Sequence, residues 1–241
     1  MNTYVLVHGA WHGAWCWDKV VPQIVKKGHK AIAVELPGHG NDKTPISEIS
    51  LRSYMDCICQ VLDAQTEPVI LVGHSLGGNS ISQAAEYRPD RIKMLVYLCA
   101  FVPQISGTGR ESTRKEPSPM ASITAQNTIL SGDKTYLTIK TDAIKELLYH
   151  DCPLEDVTWA QSLLCPEPNP GRIFTQLHLT TGNYGRIPKV YIQTLQDRII
   201  PSGYQEEMYR SIPFQKIIKM NTSHSPLFSA PEELASHLTS I

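Results

Sequence analysis

The chain has 241 residues, of which 41% are hydrophobic and 19% charged, a length and composition that suit one domain with a large core. Its 22 basic and 23 acidic residues give a formal net charge of −1 without a basic block, which disfavours nucleic acid or an anionic membrane as a partner. The longest strongly apolar run, 94–102, is far shorter than the roughly 20 residues of a membrane-spanning helix.

The N-terminal residues and the cysteines indicate the cellular compartment. The chain begins Met-Asn-Thr without the basic region of a signal peptide, so we expect a cytoplasmic protein. A chain with this much core does not need a disulfide framework, and we expect reduced thiols. The cysteines are Cys16, Cys57, Cys59, Cys99, Cys152 and Cys165. We predict no metal site, and a homodimer is a possible assembly.

Short apolar runs alternate with helical patterns over most of the chain. The predicted strands are 3–7, 30–35, 68–73, 93–99, 188–194 and 215–220. The predicted helices are 17–27, 50–65, 76–87, 202–211 and 231–240. Continuous β-branched runs that alternate with helices are typical of an α/β protein, so we predict a doubly wound, mainly parallel sheet.

The alternation stops between about residues 104 and 187. This segment is first polar and rich in Gly and Pro, and then amphipathic around 142–150 and 156–164. It is too long for a structureless loop in a compact domain. We therefore predict a helical cap, 104–187, inserted after the strand that ends near residue 99, with a core formed by 1–103 and 188–241. A separate small domain is the alternative, although the strand pattern resumes directly at Lys189.

The stretch Gly73-His74-Ser75-Leu76-Gly77 follows the apolar strand 68–73 and precedes a helical pattern. Strand, sharp turn and helix around a serine is the context of the G-x-S-x-G nucleophile elbow of serine hydrolases. Small residues two before and two after the serine are needed because the strand and the helix nearly touch there. We predict Ser75 as the nucleophile, at a helix N-terminus whose N–H groups favour negative charge.

A serine nucleophile needs a base and a carboxylate, which in this class follow the serine in the order acid, then histidine. Asp197 lies in the loop after the strand 188–194, and we predict it as the acid. His224 follows the last predicted strand and is predicted as the general base, whereas His237 falls in the last predicted helix.

The oxyanion of such a reaction needs two N–H donors. The loop after the first strand reads His8-Gly9-Ala10-Trp11, and its small residues allow the backbone to approach a substrate. We predict the N–H groups of Ala10 and Leu76 as the oxyanion hole. We expect a mainly apolar pocket, with Trp11 and Trp159 as candidate substrate-binding residues, although core packing accounts equally well for Trp159.

These motifs together resemble the α/β-hydrolase fold, and more narrowly the methylesterase and hydroxynitrile lyase family of plants with its bacterial relatives. The resemblance spans nearly the whole chain, through HGAWHGAW at 8–15, GHSLGG at 73–78, the cap stretch 153–164 and the strand 189–192. It implies a cofactor-free enzyme with a buried pocket between core and cap. By position, it implies a triad of Ser75, Asp197 and His224, and an oxyanion hole of Ala10 and Leu76.

The lyase branch of this family carries a threonine after the first-loop histidine and a lysine after the catalytic histidine. This chain has Gly9 and Ser225 at these two positions, which favours the esterase branch. The sequence LPGHG at 36–40 resembles that of bacterial members. We therefore predict a carboxylic ester hydrolase that acts through an acyl-enzyme on small, mainly apolar esters. The alternatives are a hydroxynitrile lyase-type enzyme and a ligand receptor that keeps the hydrolase fold.

Overall fold

A parallel sheet of six strands forms the centre of the computed structural model, which describes residues 1–105, 119–174 and 177–241. The strands of this sheet are β1 (Thr3–Val7), β2 (Lys30–Val34), β3 (Val69–His74), β4 (Ile92–Leu98), β8 (Lys189–Thr194) and β9 (Lys216–Met220). They lie in the order β2-β1-β3-β4-β8-β9, and each neighbouring pair is parallel. The predicted sheet is confirmed, with each strand end within one residue of its predicted position. Strands β3 and β8 are buried along their whole length, which explains their continuous apolar runs.

Helices flank this sheet, and two pairs of them pack against each other. The helices of the sheet domain are α1 (Val20–Lys26), α2 (Leu51–Asp63), α3 (Gly77–Tyr87), α8 (Ser202–Tyr209), α9 (Pro226–Ser229) and α10 (Pro231–Thr239). Helix α1 packs against α10, and α2 packs against α3. A capping box between Ser50 and Ser53 begins α2, because each side chain accepts the other residue's backbone N–H. The four-residue helix α9 is too short to show a helical period in the sequence.

The insertion between β4 and β8 contains both helices and strands. Its helices are α4 (Pro119–Asn127), α5 (Thr141–Leu148), α6 (Leu154–Leu163) and α7 (Pro170–Ile173). Its strands β5 (Thr128–Leu130), β6 (Tyr136–Ile139) and β7 (Glu167–Pro168) form an antiparallel sheet. We call residues 119–174 the cap segment. The predicted amphipathic helices correspond to α5 and α6, but the prediction missed the small sheet. Its strands have two to four residues, too few for an alternating pattern.

The carboxyl ends of the parallel strands bring the predicted site residues to one edge of the sheet. The loops after β1, β3, β8 and β9 contain Ala10, Ser75, Asp197 and His224 respectively. Ligands of open α/β sheets bind at this edge. All six cysteines are free thiols. None of the described helices is long and apolar enough to cross a membrane.

Candidate active site

Ser75 lies in a strained turn between β3 and α3. Its φ is +53°, in the left-handed region that non-glycine residues rarely adopt. The neighbouring glycines have no room for a side chain: a Cβ at Gly73 would lie 2.8 Å from the Gly77 carbonyl oxygen, and one at Gly77 would lie 2.6 Å from the His8 carbonyl oxygen. A Cβ at Gly78 would lie 2.1 Å from the Phe101 oxygen. The turn is therefore a tightly packed elbow with the serine at its apex.

Asp197 and His224 are buried and in direct contact. His224 Nδ1 lies 2.7 Å from Asp197 Oδ2, which also accepts from the Thr194 hydroxyl at 3.0 Å. The other oxygen, Oδ1, accepts the backbone N–H groups of Ile199 at 2.9 Å and Ile200 at 2.8 Å. Because an ionised carboxylate only accepts hydrogen bonds, Nδ1 carries a proton and Nε2 of the neutral ring keeps its lone pair. This arrangement suits a general base.

The imidazole of His224 lies beside the elbow. The rings of His74 and His224 are 4.7 Å apart, and His74 Nε2 donates to the His224 carbonyl oxygen at 2.9 Å. His74 directly precedes Ser75, so the imidazole of His224 and Ser75 lie in adjoining loops. The Ser75 hydroxyl makes no hydrogen bond to His224 among the described contacts. Catalytic hydrogen bonds of this kind are often long before substrate binds.

The predicted oxyanion donors also lie at the elbow. Ala10 and Leu76 both line the cavity into which Ser75 opens. Within the described part of the chain, neither of their N–H groups donates to another residue. The Leu76 N–H belongs to the N-terminal end of α3, where a developing negative charge is favoured. Ala10, Leu76 and Ser75 therefore line the same cavity, which is compatible with an oxyanion hole formed by the two unpaired N–H groups.

This cavity has a volume of about 530 Å³ and is mainly apolar. The parallel-sheet domain contributes Ala10, Trp11, Ser75, Leu76, Phe101 and Ile199. The cap segment contributes Thr124, Ala125, Thr128, Leu130, Leu137, Glu167 and Pro170. Among the described residues that line the cavity, Glu167 is the one with an acidic or basic side chain. The volume and lining suit a small apolar ligand with polar recognition at few points.

The two predicted tryptophans have different positions. Trp11 lines the cavity and is 7% exposed. Trp159 does not line it, which corrects the prediction: its side chain is 39% exposed, and its ring packs edge-on against Trp15 at 5.4 Å and near Phe228 at 6.2 Å. The pattern of α6 marks Trp159 as an apolar position, but the face that it covers depends on how the cap segment packs.

Three further buried histidines surround the site, and burial keeps them neutral. It lowers the pKa of His12 to about 4, and burial also lowers the pKa values of His8 and His74 well below their ordinary value. A neutral imidazole donates from only one nitrogen. His12 donates from Nδ1 to the Ala10 carbonyl oxygen at 2.7 Å, and its Nε2 lies close to the Tyr149 hydroxyl at 2.5 Å. These rings therefore act as fixed hydrogen-bonding groups around the loop.

One buried group in the described residues has the donor set of a metal site. The ligand atoms of His74, Cys99 and His224 lie within 4.8 Å of one another. Burial raises the pKa of the Cys99 thiol well above its ordinary value, so the sulfur stays protonated, whereas metals bind the thiolate. His74 Nε2 and His224 Nδ1 are already bonded inside the protein. The group therefore favours acid–base chemistry over metal binding.

The sequence analysis missed a buried pair at this site. Glu167, 2% exposed, accepts the Trp11 N–H at 3.0 Å and lies 3.0 Å from His39 Nε2. The stretch Pro166-Glu167-Pro168 has no helical or strand period. The glutamate between two prolines is the one unusual feature by which the sequence could have pointed to it. His39 follows the second strand, at the same edge of the sheet as the elbow.

Known proteins resemble this chain over nearly its whole length. A profile of the alpha/beta hydrolase family matches residues 4–237. Methylesterase 2 of Arabidopsis thaliana is 34% identical over 99% of this chain and 95% of its own length. Alpha-hydroxynitrile lyase of the same plant is 30% identical over 99% of this chain and 96% of its own length. The crystal structure of the Arabidopsis methylesterase MES16 superposes with a TM-score of 0.84 at 29% identity, covering 100% of this chain and 98% of that one.

The fold, the family profile and the methylesterase relatives agree with one another. The profile covers far more than half of the chain, and the parallel sheet with its elbow has the architecture that the family name describes. The chain therefore belongs to the alpha/beta hydrolase family, and it is an esterase of that family.

Proposed function

We propose that Ser75, His224 and Asp197 form the catalytic triad of this esterase. His224 Nε2 takes the proton of the Ser75 hydroxyl as Oγ attacks the ester carbonyl carbon, and Asp197 orients the ring. The N–H groups of Ala10 and Leu76 stabilise the tetrahedral oxyanion. The carbon–oxygen bond to the alcohol then breaks, and His224 returns the proton to the departing oxygen. His224 next takes a proton from a water molecule, whose oxygen attacks the acyl carbon. The bond from that carbon to Ser75 Oγ then breaks, the acid leaves, and His224 returns the proton to Oγ.

The substrates that we propose are small, mainly apolar carboxylic esters. One observation carries this proposal: the elbow serine opens into an apolar cavity of about 530 Å³ beside the buried Asp197–His224 pair. The names of the methylesterase relatives point further to methyl esters, in which only a small alcohol departs. The cytoplasmic location and the homodimer stay predictions of the sequence.

Two positions favour hydrolysis over cyanohydrin cleavage. A Cβ at Gly9 would lie 2.7 Å from Ser75 Cβ, so this backbone has no space for the threonine that the lyase branch carries. Ser225 is fully buried and its hydroxyl has no partner in the described residues, so no positive charge stands in the lysine position. Departing cyanide would be an unpaired anion in an apolar cavity, which is costly.

Replacement of the nucleophile tests this function. We expect Ser75→Ala to lower kcat for p-nitrophenyl acetate by about six orders of magnitude, because the triad acts as a unit. The variant should melt at nearly the wild-type temperature, and an alkyl phosphonate should label wild type at Ser75 alone. Full esterase activity in Ser75→Ala would contradict the assignment.

The same assay separates the two alternatives. Mandelonitrile cleavage faster than hydrolysis of every ester tested would indicate a lyase. A ligand receptor would instead bind its ester tightly with almost no turnover. We expect multiple turnovers on methyl and short-chain aryl esters and negligible cleavage of mandelonitrile.

A further inference from the structure

Trp11 has a backbone conformation that the cap segment holds in place. Its φ is +63°, and it directly follows Ala10, the proposed oxyanion donor of the first loop. A tryptophan adopts this left-handed conformation only where its surroundings hold it. All of its polar groups are bonded to the cap segment: N–H to Glu167 at 3.0 Å, ring Nε1–H to the Leu137 carbonyl oxygen at 3.2 Å, and C=O to the Cys165 N–H at 3.0 Å.

Glu167 is itself held by His39 of the parallel-sheet domain. His39 Nε2 lies 3.0 Å from Glu167 Oε2, and its Nδ1 lies 3.1 Å from the Pro37 carbonyl oxygen. A carbonyl oxygen and a carboxylate both only accept hydrogen bonds, so both ring nitrogens carry protons and the ring is charged. Burial alone would lower the pKa of His39, but the charge and hydrogen bond of Glu167 outweigh burial and raise it. The two side chains form a buried ion pair, 1% and 2% exposed.

We propose that Glu167 is a positioning residue of the oxyanion hole. Its Oε2 atom fixes the Trp11 N–H and thereby the peptide unit adjoining the Ala10 donor. The Ala10 carbonyl oxygen on the same peptide unit accepts from His12 Nδ1 at 2.7 Å, so this unit is held from both sides. The oxyanion hole of the sheet domain is thus completed only when the cap segment is docked. This role rests on the proposed function of Ala10.

The chemical consequence is a loss of transition-state stabilisation when Glu167 is removed. An oxyanion donor lowers the barrier only if it already points at the position where charge develops. Without Glu167 the Trp11 N–H is buried without an acceptor, and the Ala10–Trp11 peptide unit is held only through the Ala10 carbonyl oxygen. The neutral ester carbonyl of the ground state gains little from the donor. The change therefore affects kcat more than KM.

Three variants test this role on p-nitrophenyl acetate. We expect Glu167→Ala to lower kcat about 100-fold and to change KM by less than about threefold, by comparison with the removal of an oxyanion donor. Glu167→Gln should stay within about tenfold of wild type, because its amide oxygen still accepts the Trp11 N–H. Glu155→Ala is the matched control, since this exposed glutamate of α6 lies in the same cap segment. Its kcat should equal that of wild type.

An aryl trifluoromethyl ketone gives a second readout. Its adduct with Ser75 places a negative oxygen in the hole, so its inhibition constant should rise in Glu167→Ala by about the factor by which kcat falls. A folded Glu167→Ala variant with the kcat and inhibition constant of Glu155→Ala would overturn the role. If Glu167→Ala shows no cooperative melting transition, Glu167→Asp replaces it, because the shorter side chain keeps the charge but does not reach Trp11. Full activity of Glu167→Asp would then overturn the role.

The controls separate this role from the proposed function. Ester hydrolysis by wild type and Glu155→Ala, with phosphonate labelling of Ser75, supports the esterase mechanism whatever Glu167 does. A wild-type enzyme without ester turnover would refute the proposed mechanism, and the role of Glu167 with it.

Discussion

At the scale of single residues, the surroundings of Asp197 determine which way its carboxylate faces. Two backbone N–H groups, of Ile199 and Ile200, bind Oδ1, while Oδ2 faces His224 and the side chains of Thr194 and Gln205. Backbone N–H groups only donate, so the side-chain atom that faces these two groups must be an acceptor oxygen. In an asparagine at this position, the amide nitrogen would therefore face the imidazole.

This geometry predicts the effect of Asp197→Asn. The amide would donate to Nδ1 of His224 and move the ring proton to Nε2, so that the ring no longer accepts the serine proton. We expect kcat for p-nitrophenyl acetate to fall about four orders of magnitude, as the loss of a triad acid does in serine proteases. Asp142→Asn, an exposed aspartate in the first turn of α5, is the matched control. Near-normal activity of Asp197→Asn would mean that another carboxylate is the acid.

At the scale of elements, the elbow depends on how closely α3 approaches β1 and β3. The contact is between backbone atoms: the space beside Gly77 is filled by the carbonyl oxygens of His8 and Val7. Val7 is the last residue of β1, where sheet pairing holds its backbone, and His8 begins the loop after β1. The same glycine therefore serves both the fold and the relative placement of Ser75 and Ala10.

Gly77→Ala tests this contact. The new Cβ would lie 2.6 Å from the His8 oxygen and 3.0 Å from the Val7 oxygen, so α3 or β1 must move. We expect the free energy of unfolding in urea to fall by about 1–3 kcal/mol, as in overpacked cores, and esterase activity to fall with it. Gly182→Ala, where a Cβ meets no atom within 4 Å, should change neither quantity. Equal stability of the two variants would contradict the close contact.

At the scale of the whole molecule, buried histidines link stability to pH. Burial lowers the pKa values of His8, His12 and His74 in the folded protein, that of His12 to about 4. In the unfolded chain these side chains take up protons below about pH 6.5. The unfolded state then binds more protons than the folded state, so acid favours unfolding. His39 has the opposite effect, because its pKa is raised in the folded protein. The stability that it adds at low pH is lost as the pH rises through this raised pKa.

We therefore expect the free energy of unfolding to fall between pH 6.5 and 5. Each of the three neutral histidines contributes about 0.7 kcal/mol per pH unit at about pH 6.5, where half of the unfolded side chains are protonated. This contribution rises toward about 1.4 kcal/mol per pH unit near pH 5.5, or about 4 kcal/mol per pH unit for the three together. Urea unfolding at pH 7.5, 6.5 and 5.5 measures the slope. His8→Asn should reduce the slope by about one proton, because it removes one of the three buried neutral histidines. A stability that does not change between pH 6.5 and 5 would contradict the buried neutral state.

The sequence by itself determined the parallel sheet, the elbow and the loops in which Ser75, Asp197 and His224 lie. These features depend on local patterns: apolar runs, helical periods, and glycines beside Ser75. Strand ends also placed Asp197 and His224, because parallel strands bring their carboxyl ends to one edge of the sheet. The predicted positions of these elements therefore agree with the structure to within a few residues.

Only the tertiary structure decided how the cap segment meets the site. The strands β5 to β7 are too short to show a period, and the contact between Glu167 and Trp11 joins residues 156 positions apart. Whether a tryptophan faces the cavity, as Trp11 does, or the surface, as Trp159 does, depends on which neighbours cover it. Such contacts arise from packing between distant segments, and local patterns in the chain do not encode them.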